Sequence, residues 1–169
     1  MKDPNIIRLI RKLLKAGITE NGEYKETEEG TEQGSGCSPM LANIYMHYVL
    51  VLWFYKVAKL QFRGYCDIVI YADDFVCCFQ YKNEAEQFYK ILKERFGEFG
   101  LKLEESKSCL IEFGRFAETN RKRRGENKPE TFDFLGFTHY CSKSRKGNFR
   151  VKRKTSKKKF RAKLKLFTE

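Results

Sequence analysis

Ile68-Val69-Ile70-Tyr71-Ala72-Asp73-Asp74-Phe75-Val76-Cys77-Cys78-Phe79 is the stretch on which the fold turns. Two runs of β-branched and aromatic residues flank Asp73-Asp74, so it reads as a hairpin carrying two acids between its arms. Both arms are apolar on both faces, which predicts a central, covered pair of strands. Adjacent carboxylates repel, and a two-residue turn favours glycine where φ is positive. Asp tolerates that conformation better than most residues, yet some strain is expected, and strain needs a compensating gain. A divalent cation supplies one, because Mg²⁺ takes one or two carboxylates together with phosphate oxygens. The competing reading is an ordinary exposed Asp-Asp turn, since Asp is common in turns.

Helices are expected on either side of the hairpin. Upstream, Ser38-Pro39 is a cap followed by proline at the first helical position, opening a helix from Pro39 to about Leu60. It is apolar nearly all round, so much of it should be buried. Further upstream, Asp3-Pro4 starts an amphipathic helix that stops at Gly17, and residues 19–36, with Asn21-Gly22, read as turns or a small hairpin. Downstream, Asn83 is read as the cap of a helix ending at Gly100, with Ala85, Phe88, Leu92, Phe96 and Phe99 as its inner stripe. Ser108–Phe113 reads as a short strand and Arg115–Glu130 as a polar, Arg-rich insertion. Phe132–Tyr140 and Asn148–Lys152 read as two strands around a Ser/Lys/Gly turn. A basic helix begins near Ser156, with Phe160, Leu164 and Phe167 on one side.

The chain has 169 residues, enough for one domain with a core; 41% hydrophobic and 33% charged residues exclude a disordered or low-complexity chain. Its longest apolar stretch, Tyr48–Tyr55, is too short to span a bilayer, and the N-terminus shows no small-residue cleavage site. No membrane partner and no secretory signal are therefore expected. The six cysteines include no C-x-x-C pair, which argues against zinc. Cys77 and Cys78 should point to opposite strand faces, and the cysteines as a set read as reduced, buried residues of a cytoplasmic protein. Charge is uneven: residues 120–169 hold 18 Lys/Arg against 4 Asp/Glu, whereas residues 1–119 hold 16 against 18. Such a concentrated basic field attracts a polyanion, nucleic acid first, although a merely solvated tail has the same composition. The expected phosphate-binding residues are Arg150, Lys152, Arg153, Lys154, Lys157, Lys158, Lys159, Arg161 and Lys163.

Three ordered blocks carry a family resemblance. Tyr71-Ala72-Asp73-Asp74-Phe75-Val76 resembles the catalytic box of reverse transcriptases. Gly30-Thr31-Glu32-Gln33-Gly34-Ser35-Gly36-Cys37-Ser38-Pro39-Met40-Leu41-Ala42-Asn43-Ile44-Tyr45 resembles a block of group II intron-encoded reverse transcriptase/maturases, and Phe132-Asp133-Phe134-Leu135-Gly136-Phe137-Thr138-His139 resembles their later F-x-F-L-G-F block. Three boxes in order and at the right spacing are far more specific than one. The resemblance implies an α+β, palm-like antiparallel sheet with packed helices, and RNA-directed DNA synthesis by two-metal nucleotidyl transfer onto a primer 3′-hydroxyl. It implies two Mg²⁺ ions, or Mn²⁺ as their substitute, held with the help of Asp73 and Asp74. It also implies nucleotide or template contacts at Gln33, Gly34, Tyr71, Ala72 and Lys107, and a primer grip at Phe134, Leu135 and Gly136. Its partners would be RNA template, intron RNA, DNA primer or target, and deoxynucleoside triphosphates. Lys107 is also an ordinary surface lysine by composition, and the phenylalanines of the last block are also ordinary core residues.

The chain departs from that pattern at Glu32 for a proline, Ile70 for an arginine and Val51 for an acid. A further Asp facing the hairpin is expected from an upstream strand, yet only Asp3, a helix cap, and Asp67, on the same arm as the box, precede Tyr71. The expectation is a partial palm over residues 1–154, its insertion at 115–130, and the start of a basic thumb or maturase helix at 155–169, with fingers absent and an upstream segment missing. Such a chain should not extend a primer alone. The competing readings are a non-catalytic remnant that binds intron RNA and a relic without function.

Overall fold

The computed structural model describes residues 3–15, 18–20, 23–25 and 38–168. Gln33 and Gly34, with Glu32, Cys37 and the Asn21-Gly22 pair, lie outside the described residues. The chain divides into two units, Met1–Gln61 with Ile70–Phe75, and Phe62–Val69 with Val76–Glu169.

In the first unit, α1 (Pro4–Lys15) starts as expected: the Asp3 carboxylate accepts the Asn5 N–H at 2.8 Å, and the Asp3 carbonyl accepts the Ile7 N–H at 3.2 Å. Strands β1 (Ile18–Glu20) and β2 (Glu23–Lys25) pair antiparallel from Ile18↔Lys25 to Glu20↔Glu23. Helix α2 (Ser38–Met46) then continues as two π-helical turns, His47–Leu52 and Phe54–Ala58, and a 3₁₀ turn at Lys59–Gln61. The expectation that much of this segment is buried is corrected. No residue of α2 is buried, and Met40, Ile44 and Tyr45 are exposed. Burial is confined to Val49, Leu50, Phe54 and Ala58, where the wider π turns carry the apolar side chains.

In the second unit, Phe62, Phe79 and Phe88 form an aromatic cluster, with Phe62–Phe79 centroids 5.4 Å and Phe79–Phe88 centroids 5.1 Å apart. Phe88 comes from α3 (Lys82–Glu98), whose buried stripe also holds Leu92 and Phe96. Asn83 is not its cap; Tyr81 holds that position and makes no side-chain cap bond. The first turn is instead tied by Glu84, 6% exposed, whose carboxylate accepts the N–H groups of Arg63 (2.9 Å) and Gly64 (3.2 Å). Gly64 is required there, because a Cβ would stand 2.6 Å from the Tyr81 ring and 2.8 Å from Glu84 Oε2. The helix ends at Gly100, φ 66°, as predicted. Phe99 is exposed, with the Arg95 guanidinium 4.2 Å from its ring centre.

Ser108–Phe113 forms no strand, since among the described residues no strand pairs with it. The insertion folds as α4 (Ala117–Arg123), laced by ion pairs. Arg124 bonds Glu112 and Glu126, Arg121 lies 3.4 Å from Glu126 and 3.3 Å from Glu130, and Glu118 pairs with Lys122 and Lys143. The strand expected over Phe132–Tyr140 is two strands, β5 (Phe132–Phe134) and β6 (Phe137–Lys143), and β7 (Phe149–Thr155) completes a β5-β6-β7 antiparallel sheet. Antiparallel sheets with separate helices make the fold α+β. Helix α5 (Lys157–Thr168) starts at Ser156, buried, as expected.

Candidate active site and nucleic-acid interface

The acidic box occupies the tip of a hairpin formed by β3 (Cys66–Tyr71) and β4 (Asp74–Phe79). The two turn residues are Ala72 and Asp73; Asp74 opens β4 rather than sharing the turn. The strain expected of an Asp therefore falls on Ala72, with φ 53°. Positive φ at the first central residue alone is the pattern of a type II′ turn, where glycine is usual. Tyr71, Ala72, Asp73 and Asp74 are all exposed. The tip thus holds two hard-oxygen carboxylates out in solvent, the donor type a divalent cation takes alongside phosphate oxygens. Among the described residues no group of three His, Cys, Asp or Glu side chains is placed to hold a metal, so the pair fits part of such a ligand set.

The hairpin is not a covered, central pair of strands. Burial alternates along β3: Cys66 and Ile68 are buried, Val69 and Tyr71 exposed. Among the described residues this sheet has two strands, and its Val69 and Tyr71 side is open to solvent. Cys77 and Cys78 do point to opposite faces. Burial, then the neighbouring Cys78 and Cys66 sulfurs, push the Cys77 thiol far above its usual range. Cys78 is exposed and is raised first by partial burial and then by the Asp67 charge. Cys109 is exposed too, so the expectation of uniformly buried cysteines fails at these two positions.

A second group gathers in the other unit. Leu135 (φ 52°) and Gly136 (φ 80°) form the two-residue turn between β5 and β6, both central residues left-handed as a type I′ turn requires. Phe134 faces Phe137 across it. The Gly136 carbonyl accepts the Ser156 N–H at 3.0 Å, and the Ser156 hydroxyl caps α5 at the Lys159 N–H, 3.5 Å away. The Lys159 side chain lies over the turn, where a Cβ on Gly136 would stand 2.6 Å from its Cε. Glycine is favoured there by its φ, since the flexible end of Lys159 could swing away from a Cβ, and turn and helix start are bonded into one piece.

Strand alternation divides the basic residues. In the β6–β7 register, Tyr140↔Lys152, Ser142↔Arg150 and Thr138↔Lys154 share one face; His139↔Arg153 and Phe137↔Thr155 share the other. Lys154 Nζ stands 5.7 Å from the Tyr140 ring centre and Arg153 Cζ 5.7 Å from that of Phe137. The Arg153 face also carries Phe132, stacked on His139 at 5.0 Å, and Phe113 at 5.1 Å from Phe132. Lys157, Lys158 and Arg161 are exposed on α5. Lys107 is exposed on a turn, its N–H bonded to the Glu104 carbonyl at 3.1 Å. Sequence reading missed the α4 ion pairs and the placement of Lys159; of these, the Glu118–Lys143 pair and the approach of Lys159 to Gly136 join segments distant along the chain.

Residues 1–139 match the family model described as "Reverse transcriptase (RNA-dependent DNA polymerase)". This chain belongs to the reverse transcriptase family. Its α+β architecture, with an acidic hairpin and packed helices, agrees with a palm-like region of that family. Over 47 residues it is 53% identical to the group II intron-encoded protein LtrA of Lactococcus lactis subsp. cremoris, a segment that is 28% of this chain and 8% of LtrA. The same length and identity hold for an uncharacterized 91 kDa protein in the cob intron of Schizosaccharomyces pombe, covering 6% of it. The aligned segment is thus under a tenth of these relatives' length.

Proposed function

We propose that this chain is the palm-centred part of a group II intron reverse transcriptase, serving RNA-directed DNA synthesis with a maturase role toward intron RNA. The observation that carries the reading is the exposed Asp73-Asp74 pair on a strained hairpin tip, within a chain matching the reverse transcriptase family over residues 1–139. The partial palm covers residues 1–154 and the thumb begins at 155–169. Asp73 and Asp74 hold Mg²⁺, or Mn²⁺ in its place, with the remaining ligands coming from outside the described residues. When bound, the ion pair supplies activation of the primer 3′-hydroxyl and charge stabilisation for the leaving pyrophosphate.

The chain's own residues orient. The tight Ala72 turn fixes both carboxylates relative to the strand pair, so no flexible loop has to be ordered at the moment of reaction. Tyr71, exposed beside them, offers a flat surface to a nucleotide. Leu135-Gly136 holds the primer strand, and the Lys159 ammonium beside that turn takes a phosphate. RNA template, DNA primer and deoxynucleoside triphosphates are the partners, in a cytoplasmic setting; among the described residues no helix is long and apolar enough to cross a membrane.

The test has two arms. In the first, Mn²⁺ added to the isotopically labelled chain should broaden amide signals at residues 72–75, and Asp73→Asn should remove most of that broadening. In the second, primer extension on an RNA template should be absent from the chain alone and appear when an upstream fingers/palm segment is supplied, then vanish in Asp73→Asn. The basic strands and helix favour a second reading, an RNA-binding maturase remnant. RNA binding with no extension in the second arm would select it.

A further inference from the structure

Beside α4, the second unit holds an open groove of about 1080 Å³ between the 126–131 segment and the edge of β6–β7. It exists because β5 is short: pairing with β6 ends at His139, leaving the edge of residues 140–143 open. We propose that this groove binds a single-stranded segment of RNA, a site that rests on the nucleic-acid reading above and adds to the helix α5 lysines.

Charge comes first. Arg115, Lys128, Lys143 and Lys154 line the groove. Its two acids are already engaged: Glu118 holds Lys122 at 3.2 Å and Lys143 at 3.0 Å, and Glu126 bonds Arg124 and Arg121. Both carboxyls are held below their usual range, Glu118 chiefly by its hydrogen bonds to Lys143 and Lys122, Glu126 chiefly by that to Arg124. Arg115 and Lys128 have no ion-pair partner among the described residues, so the groove keeps an excess of positive charge.

Shape and surface come next. The volume of about 1080 Å³ lies just above the roughly 300–1,000 Å³ of small-molecule pockets, and the groove is partly open to solvent, which leaves room for an extended chain. Tyr140 lines it with Lys154 on one sheet face, Lys154 Nζ standing 5.7 Å from its ring centre, while Phe149, opposite Lys143, projects from the other face. Cations that track a backbone, with aromatic rings for the bases, are the recognition chemistry of single strands. An A-form duplex presents its bases inward and leaves such rings unused. An acidic peptide would use the cations and leave the rings idle as well.

The test is fluorescence anisotropy of the whole chain with a labelled 12-nucleotide RNA of mixed sequence, titrated over 50–200 mM salt. Arg115→Gln with Lys128→Gln should lower the magnitude of the log–log salt slope by about 1.4, two contacts at about 0.7 each. Tyr140→Ala should weaken binding roughly tenfold with the slope unchanged, as loss of one stacked base does. Tyr140→Phe should restore affinity, which separates stacking from a folding defect, and ultraviolet cross-linking of bromouridine RNA should map to Tyr140. Lys157→Gln with Lys158→Gln should lower the slope and leave the effect of Tyr140→Ala intact. Wild-type binding that ignores the groove variants would overturn this site and leave the nucleic-acid reading standing. Equal affinity for a 12-base-pair duplex, or displacement by polyglutamate of equal charge as well as by RNA, would also overturn it. A chain that binds no RNA at all would overturn both.

Discussion

Ala72 spends its position in the left-handed region, where an L side chain costs about 1–2 kcal/mol. Ala72→Gly should therefore raise stability by about 1 kcal/mol, read as a higher urea midpoint with an unchanged slope. The same change loosens the carboxylate pair, so Mn²⁺ broadening at the tip should weaken while the fold gains. Glu84 shows the opposite economy. Its buried carboxylate satisfies two backbone N–H groups ahead of α3. Glu84→Ala leaves both unpaired and should cost about 2–3 kcal/mol in denaturant unfolding, whereas Glu84→Gln keeps an acceptor and should cost less. Neither effect is visible in a list of residue types: Glu84 reads as an ordinary surface acid until the chain returns Arg63 and Gly64 to it.

Elements were legible where their signals are local. Asp3-Pro4, Gly100 and Ser156 each mark a helix end by chemistry confined to one turn, and the structure puts ends at all three. Strands were less legible. Ser108–Phe113 has strand-like composition and no partner, and Phe132–Tyr140 breaks at Leu135-Gly136, because a strand exists only through what pairs with it. The Arg-rich insertion, to which sequence alone assigned no element, contains a helix held by ion pairs. Glu112, whose hydrogen bonds to Arg124 and then Asn120 hold its carboxyl below the usual range, is one of its anchors. A lowered folded value means that this contribution is complete above the ordinary carboxylate range and is lost as pH falls through it. Amide exchange at residues 117–124 should accordingly speed up below about pH 4, relative to the global rate, and Glu112→Gln should show the faster exchange already at pH 7.

At the scale of the whole molecule, the positive excess in residues 120–169 is not one patch. Strand alternation sends Arg150, Lys152 and Lys154 one way and Arg153 the other, and further cations sit on α4, in the β6–β7 turn and on α5. A chain that engages 6–10 phosphates across these surfaces should lose roughly 10³-fold or more in RNA affinity between 50 and 200 mM salt, measured by anisotropy. A nearly flat response would instead mean that the lysines are solvated and idle. Local sequence was enough for the helix ends at Asp3-Pro4, Gly100 and Ser156 and for the acidic hairpin tip, because each depends on neighbours within a few residues. Which face of the hairpin is bare, which residue carries the strain, and which lysine lies over the Leu135-Gly136 turn were settled only by folding. These properties belong to pairs of segments far apart along the chain, and no local propensity encodes which segment will be opposite.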